Sequence, residues 1–190
     1  MGQARTRKPI RPTSLSKHGR ILIGILLFFF ALIWAVGLYA YFTLPERVPT
    51  HFGFSGKPDS FGTKSIFLLL PLAFSIAPLI FLVVIKYRFT LINRYPYLIN
   101  LPAFFAIFEL PSERRGYWLN RYFELVLVLG VALVVFLLVI LLGTYKGTLD
   151  GGMPSWFSIV MLFLPFLLIV PFIVALRSLA LKMAEEGEAG

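Results

Sequence analysis

The chain contains no cysteine and only two histidines, His18 and His51. Disulfides, thiolate nucleophiles, thiolate metal sites and iron–sulfur clusters are therefore excluded. Chemistry-bearing side chains gather in one place, the Pro- and Gly-rich stretch 44–64, which carries Glu46, His51 and Asp59. A histidine beside a carboxylate can accept a proton or serve as a ligand, the acid fixing the ring's tautomer. The same pair can equally act as a clasp that holds a loop in shape. One histidine and two acids fall short of a catalytic zinc site, which uses three protein ligands with histidines dominant. The clasp is thus preferred, then a recognition surface, then metal binding or catalysis. Phe52 and Phe61 flank the pair and complete the ligand-or-clasp set. Glu124 is the remaining candidate, because an acid inside an apolar run marks a functional site by default. It follows Arg121 by three positions, and an i,i+3 ion pair at the membrane edge accounts for it. No Gly-x-Ser-x-Gly, no phosphate-cradling Gly-Lys-Ser/Thr and no His-Glu-x-x-His occurs. The chain reads as non-enzymatic, with no catalytic residue, metal or cofactor.

The elements that position these residues are dictated by composition. The 190 residues are 58% hydrophobic and 14% charged, with a mean hydropathy of +0.85. A soluble domain is about 45–50% apolar and about 25% charged, so a water-soluble globule is excluded. Four apolar runs, 21–43, 65–85, 123–145 and 155–176, stand out. Each is long enough, at about 1.5 Å per helical residue, to cross a hydrocarbon core of about 30 Å. The first run is too long, and ends too bulkily at Tyr39-Ala40-Tyr41-Phe42, for a cleaved signal peptide. The class is an all-α integral membrane protein with four transmembrane helices.

Charge sets the expected orientation. Arg5, Arg7, Lys8, Arg11, Lys17 and Arg20 lie in the tail 1–20. Lys86, Arg88, Arg94, Arg114, Arg115 and Arg121 lie in the connection 86–122, and Arg177 and Lys182 in the tail 177–190. Only Arg47, Lys57, Lys64 and Lys146 fall in 44–64 or in the short loop 146–154. The positive-inside rule places both termini in the cytoplasm of a multi-pass cell-membrane protein, with the 44–64 loop outside. The net charge of +9 is then a topology signal. Nucleic acid is the poorer partner, since the tail offers no aromatic side chain for bases to stack on; the lipid bilayer is the expected one.

Local signals refine this frame. Residues 48–52 alternate as a short strand does, and Phe54-Ser55-Gly56 fits a turn with glycine at positive φ. Segment 101–110 is apolar but too short to span and reads as a cytoplasmic interfacial helix after an Asn100 cap. Pro111 ends it. Ser112 caps a new helix that starts near Glu113 and continues into the third span. Arg114, Arg115, Arg121 and Glu124 belong to the membrane interface, with Tyr117, Trp118 and Tyr122 as an aromatic belt. Pro71, Pro78, Pro165 and Pro171 lie inside spans. With no polar residue expected beside them, their role is packing.

The pattern Leu44-Pro45-x-x-Val48-Pro49-x-His51-Phe52-x-x-x-Gly56-x-Pro58-Asp59-x-Phe61-Gly62-Thr63-Lys64, set between two transmembrane helices, resembles the signature of the membrane family called domain of unknown function 1648. The likeness covers roughly 35–81. It departs at Gly53, where that family commonly has Asn, and the second half of the chain does not resemble the C-terminal domain of SdpI. The family includes SdpI-type immunity proteins, which protect a cell against a membrane-active peptide and can sequester a repressor. The resemblance thus implies a sensing or immunity protein whose outer loop contacts a peptide or envelope ligand. The alternatives are a structural or accessory subunit with a membrane-protein partner and, more weakly, a small transporter.

Overall fold

The computed structural model describes residues 9–95, 106–108 and 110–188. The first helix, α1 (Lys17–Thr43), begins inside the basic segment, before the apolar run itself. The reason is local: Ser16 is extended and its hydroxyl accepts from the Gly19 N–H at 3.1 Å, a standard N-terminal cap. Beyond α1 the chain forms an antiparallel hairpin of β1 (Arg47–Phe52) and β2 (Pro58–Thr63). The 44–64 loop is therefore sheet, which amends the all-α description. Its turn closes through Gly53 N–H to the Lys57 carbonyl and Gly56 N–H to the Gly53 carbonyl, both 2.9 Å. Gly56 takes φ 74°, a conformation that a side chain would strain.

The second span consists of α2 (Ile66–Phe74) and α3 (Ile76–Lys86), separated at Ser75. Pro78 has no N–H to offer the Phe74 carbonyl, and Pro71 none for Phe67, so the ladder is weakened on both sides of the break. Ser75 repairs it. Its hydroxyl donates to the Pro71 carbonyl at 2.7 Å and accepts from Trp34 Nε1 of α1 at 2.9 Å. This corrects the expectation that no polar group accompanies these prolines, because Ser75 is buried between them. Trp34→Phe and Ser75→Ala should each lower stability by about 0.5–1.5 kcal/mol. The double variant should cost less than the sum, read from denaturant unfolding in mixed micelles.

A short helix α4 (Arg88–Arg94) follows. Most of the expected interfacial helix 101–110 lies outside the described residues; Ala106–Phe108 form a single 3₁₀ turn. Next comes α5 (Ser112–Asp150), continuous from the tail end of the bundle to the hairpin end. Its N-cap position is Pro111, and the Ser112 hydroxyl bonds Glu113 Oε1 at 2.6 Å instead of capping. Leu119, Phe123, Leu127, Gly130, Val134, Leu138 and Leu141 are buried at spacings of four, four and three, repeated, which is one stripe of a helix. Past residue 145, α5 continues to Asp150, supported by the Lys146–Asp150 pair at 2.9 Å, and stops at Gly151 with φ 68°. The last helix, α6 (Ser155–Glu188), passes through Pro165 and Pro171 and does not end at residue 176. Hydropathy marks where lipid stops, and this helix continues because its end packs on the start of α5.

Four helices, α1, the α2–α3 pair, α5 and α6, are long and apolar enough to cross a membrane. Two packed layers hold them together. Leu26, Ile33, Ala40, Phe67, Val134, Leu138 and Leu141 form the one nearer the hairpin, and Leu44 and Val48 extend it into the hairpin's base. Ile10, Leu22, Ile85, Ile92, Leu119, Phe123, Leu127 and Met183 form the one at the tail end.

Candidate functional site

The hairpin brings His51 and Asp59 together. His51 pairs across the ladder with Ser60, and register irregularities on both sides of His51 turn its ring toward Asp59. His51 Nδ1 and Asp59 Oδ1 are 2.6 Å apart. Gly53 contributes room, since a Cβ there would come within 2.9 Å of Asp59 Oδ2. Both side chains are well exposed, 69% and 52%, so water screens the pair and its worth is small. Asp59→Asn should accordingly change thermal stability by less than about 1 kcal/mol. A larger loss would mean that the pair carries the hairpin.

Glu46 is not part of that pair. It meets Lys64 at 3.6 Å at the base of the hairpin, where the Lys64 ammonium also lies 5.3 Å from the centre of the Tyr41 ring. Phe61 is half exposed and carries the Arg47 guanidinium over its ring at 5.5 Å. Phe52 points inward to α5, where Gly147 leaves a bare surface for the Phe52 ring and the Met153 sulfur. The Met153 N–H donates to the Gly56 carbonyl at 2.7 Å, tying the hairpin tip to the start of α6. Between tip and helix lies an open-sided groove of about 410 Å³. His51, Phe52, Phe54, Met153, Phe157 and Met161 line most of it, and the Phe54 ring is fully exposed. The volume suits one or two apolar side chains of a ligand. Sequence reasoning missed Met153, Phe157 and Met161, which reach the hairpin only through the tertiary contact.

The residues assigned to the membrane interface are arranged differently from a belt. Tyr117 is exposed beneath the Arg114 guanidinium, 4.9 Å from its ring centre. Trp118 and Tyr122 are buried, and Trp118 faces α6. Arg114 makes a two-pronged contact with Glu186, at 2.6 and 3.0 Å, and Trp118 Nε1 donates to the same carboxylate at 3.0 Å. Arg115 donates to the carbonyls of Leu110 and Phe108 at 2.9 and 2.8 Å. Arg121 lies 3.3 Å from Glu124. Glu124 is only 3% exposed and also accepts the Ser16 N–H at 3.2 Å.

That last contact belongs to a hub at the tail end that residue types alone did not reveal. Asn93 exchanges two hydrogen bonds with the backbone of Ile10, at 2.8 and 2.9 Å. Asn120 donates to Thr13 Oγ1 at 3.0 Å and to the Ser14 carbonyl at 2.8 Å. Arg88 donates to Asn120 Oδ1 at 2.7 Å and to the Thr13 carbonyl at 2.8 Å. Burial holds the Arg88 pKa below its ordinary value, while the Glu124 carboxylate acts in the opposite sense. The signal was two asparagines bordering apolar segments, where a polar amide needs a partner.

The fold and its two polar ends define a multi-pass membrane protein with a structured hairpin on one side. The chain belongs to the family of an uncharacterised protein of Archaeoglobus fulgidus, 44% identical over 178 residues that span 93% of this chain and 97% of that relative. Residues 28–74, running from α1 through the hairpin to the end of α2, match the family model "Domain of unknown function (DUF1648)". No solved structure matches the chain.

Proposed function

We propose that the protein is a non-enzymatic membrane protein of the SdpI-like sensing or immunity kind. Both termini are cytoplasmic, and the hairpin groove faces outward to receive a peptide or envelope ligand. The observation that carries this reading is the groove itself, an apolar recess with the His51–Asp59 pair beside it. Met153 and Met161 provide adaptable thioether walls that fit varied apolar side chains. His51 and Asp59 at the mouth suit the polar backbone or charged end of a membrane-active peptide. The basic residues concentrated in the two tails and the 86–122 connection support the orientation.

The test is sensitivity of a deletion strain to membrane-active peptides. Wild-type protein should restore tolerance. Met161→Trp, which fills the groove, should fail to restore it at an equal level in the membrane. A deletion strain no more sensitive to any such peptide than its parent, or full rescue by Met161→Trp, would count against the reading.

A further inference from the structure

A second cavity, of about 380 Å³, lies at the opposite end of the bundle between α5 and α6. Its lining changes along the helix axes. On α5 the lining passes from Arg121 to Leu125 and Val128, moving toward the hairpin. On α6, which runs the other way, it passes from Lys182 to Leu179 over the same direction. Both helices thus present a cation toward the tail end, with mainly apolar side chains beyond it; Glu124 and Ser178 are the polar exceptions. His18 of α1 adds a third nitrogen base at the polar mouth. Among the described residues, neither His18 nor Lys182 has a hydrogen-bond or ion-pair partner. The one acid in the lining, Glu124, is already occupied by the Ser16 N–H and Arg121. The cavity therefore offers the unpaired Lys182 ammonium and the His18 imidazole beside the Arg121–Glu124 pair, with Leu125, Val128 and Leu179 next to them on the hairpin side.

We propose that this cavity binds an anionic phospholipid, with its phosphate among Lys182, Arg121 and His18 and one acyl chain along Leu125, Val128 and Leu179. The chemistry at the mouth is that of a phosphate site, and the apolar slot selects a lipid over free phosphate. Basic pockets between transmembrane helices bind anionic headgroups in this way, at about 1 kcal/mol, or about fivefold in affinity, per Lys or Arg.

The experiment is native mass spectrometry of the full chain in detergent, titrated with phosphatidylglycerol, phosphatidylcholine or inorganic phosphate. Wild type should bind phosphatidylglycerol at least about fivefold more tightly than phosphatidylcholine. Lys182→Gln should weaken phosphatidylglycerol about fivefold and leave phosphatidylcholine unchanged, and Lys182→Arg should retain the preference. Lys182 is exposed, so neither variant disturbs packing. Equal binding of the two lipids would overturn the proposal, as would an unaltered preference in Lys182→Gln. Displacement of phosphatidylglycerol by millimolar inorganic phosphate would overturn the lipid assignment and leave a free-phosphate site.

Discussion

Asn120→Leu is expected to release the N-terminal segment and to cost about 3 kcal/mol of stability. Asn120 is 6% exposed and connects Thr13, Ser14 and Arg88. Leucine removes both donors and leaves Arg88 Nε without its acceptor. A neutral hydrogen bond is worth about 1 kcal/mol net, and one to a charged group about 1.5–3 kcal/mol. Equilibrium unfolding in mixed micelles measures the loss, and trypsin cleavage after the exposed Lys17, where the segment joins α1, should quicken as the segment detaches. Unchanged stability together with unchanged cleavage would show that Asn93 and Glu124 hold the tail without Asn120. Arg88→Gln should act in the same direction more weakly, since glutamine retains one donor arm.

Gly37→Leu is expected to be comparably damaging, at about 3 kcal/mol, for a different reason. Here α1 lies so close to α2 that a Cβ would stand 2.7 Å from the Phe67 carbonyl oxygen and also against the Pro71 ring. A carbonyl in a helix cannot swing aside, so the two helices must separate, opening the layer formed by Ile33, Ala40 and Phe67. Overpacking of this kind costs about 1–3 kcal/mol, and the backbone contact puts Gly37 at the upper end. Gly24 is the control, on the same helix, where a Cβ would meet nothing within 4 Å. Gly24→Leu should be neutral or mildly stabilising, because glycine is a poor helix former. Equal losses at the two positions would show that propensity governs α1, not its contact with α2.

The bilayer made much of the architecture legible. A chain that must satisfy its backbone internally has to form helices wherever it is apolar for long enough, so all four spans are visible as hydropathy. The turn at Gly56 was readable for the same kind of reason, since few residues tolerate its φ. What stayed hidden depends on packing between distant segments. Ser75 is an unremarkable serine until Trp34 is placed opposite it. Met153 and Met161 belong to α6 and its approach, and only the chain's return to the hairpin makes them part of the groove. Helices run past their apolar spans wherever polar contacts prolong them, as Glu186 does for α6, and hydropathy carries no signal of that extension. The His51–Asp59 pair was the reverse case, two residue types close in sequence whose geometry a short hairpin could supply.

A peptide can reach the groove only if the hairpin faces outward, and the functional reading depends on that orientation. Because the chain has no native cysteine, single cysteines report sidedness cleanly. Ser55 is exposed at the hairpin tip and Ser112 at the start of α5, on opposite ends of the bundle. Ser55→Cys should react with a membrane-impermeant maleimide in intact cells, and Ser112→Cys only after the cells are permeabilised. Labelling of Ser112→Cys in intact cells with Ser55→Cys protected would contradict the reading, since it would turn the groove toward the cytoplasm.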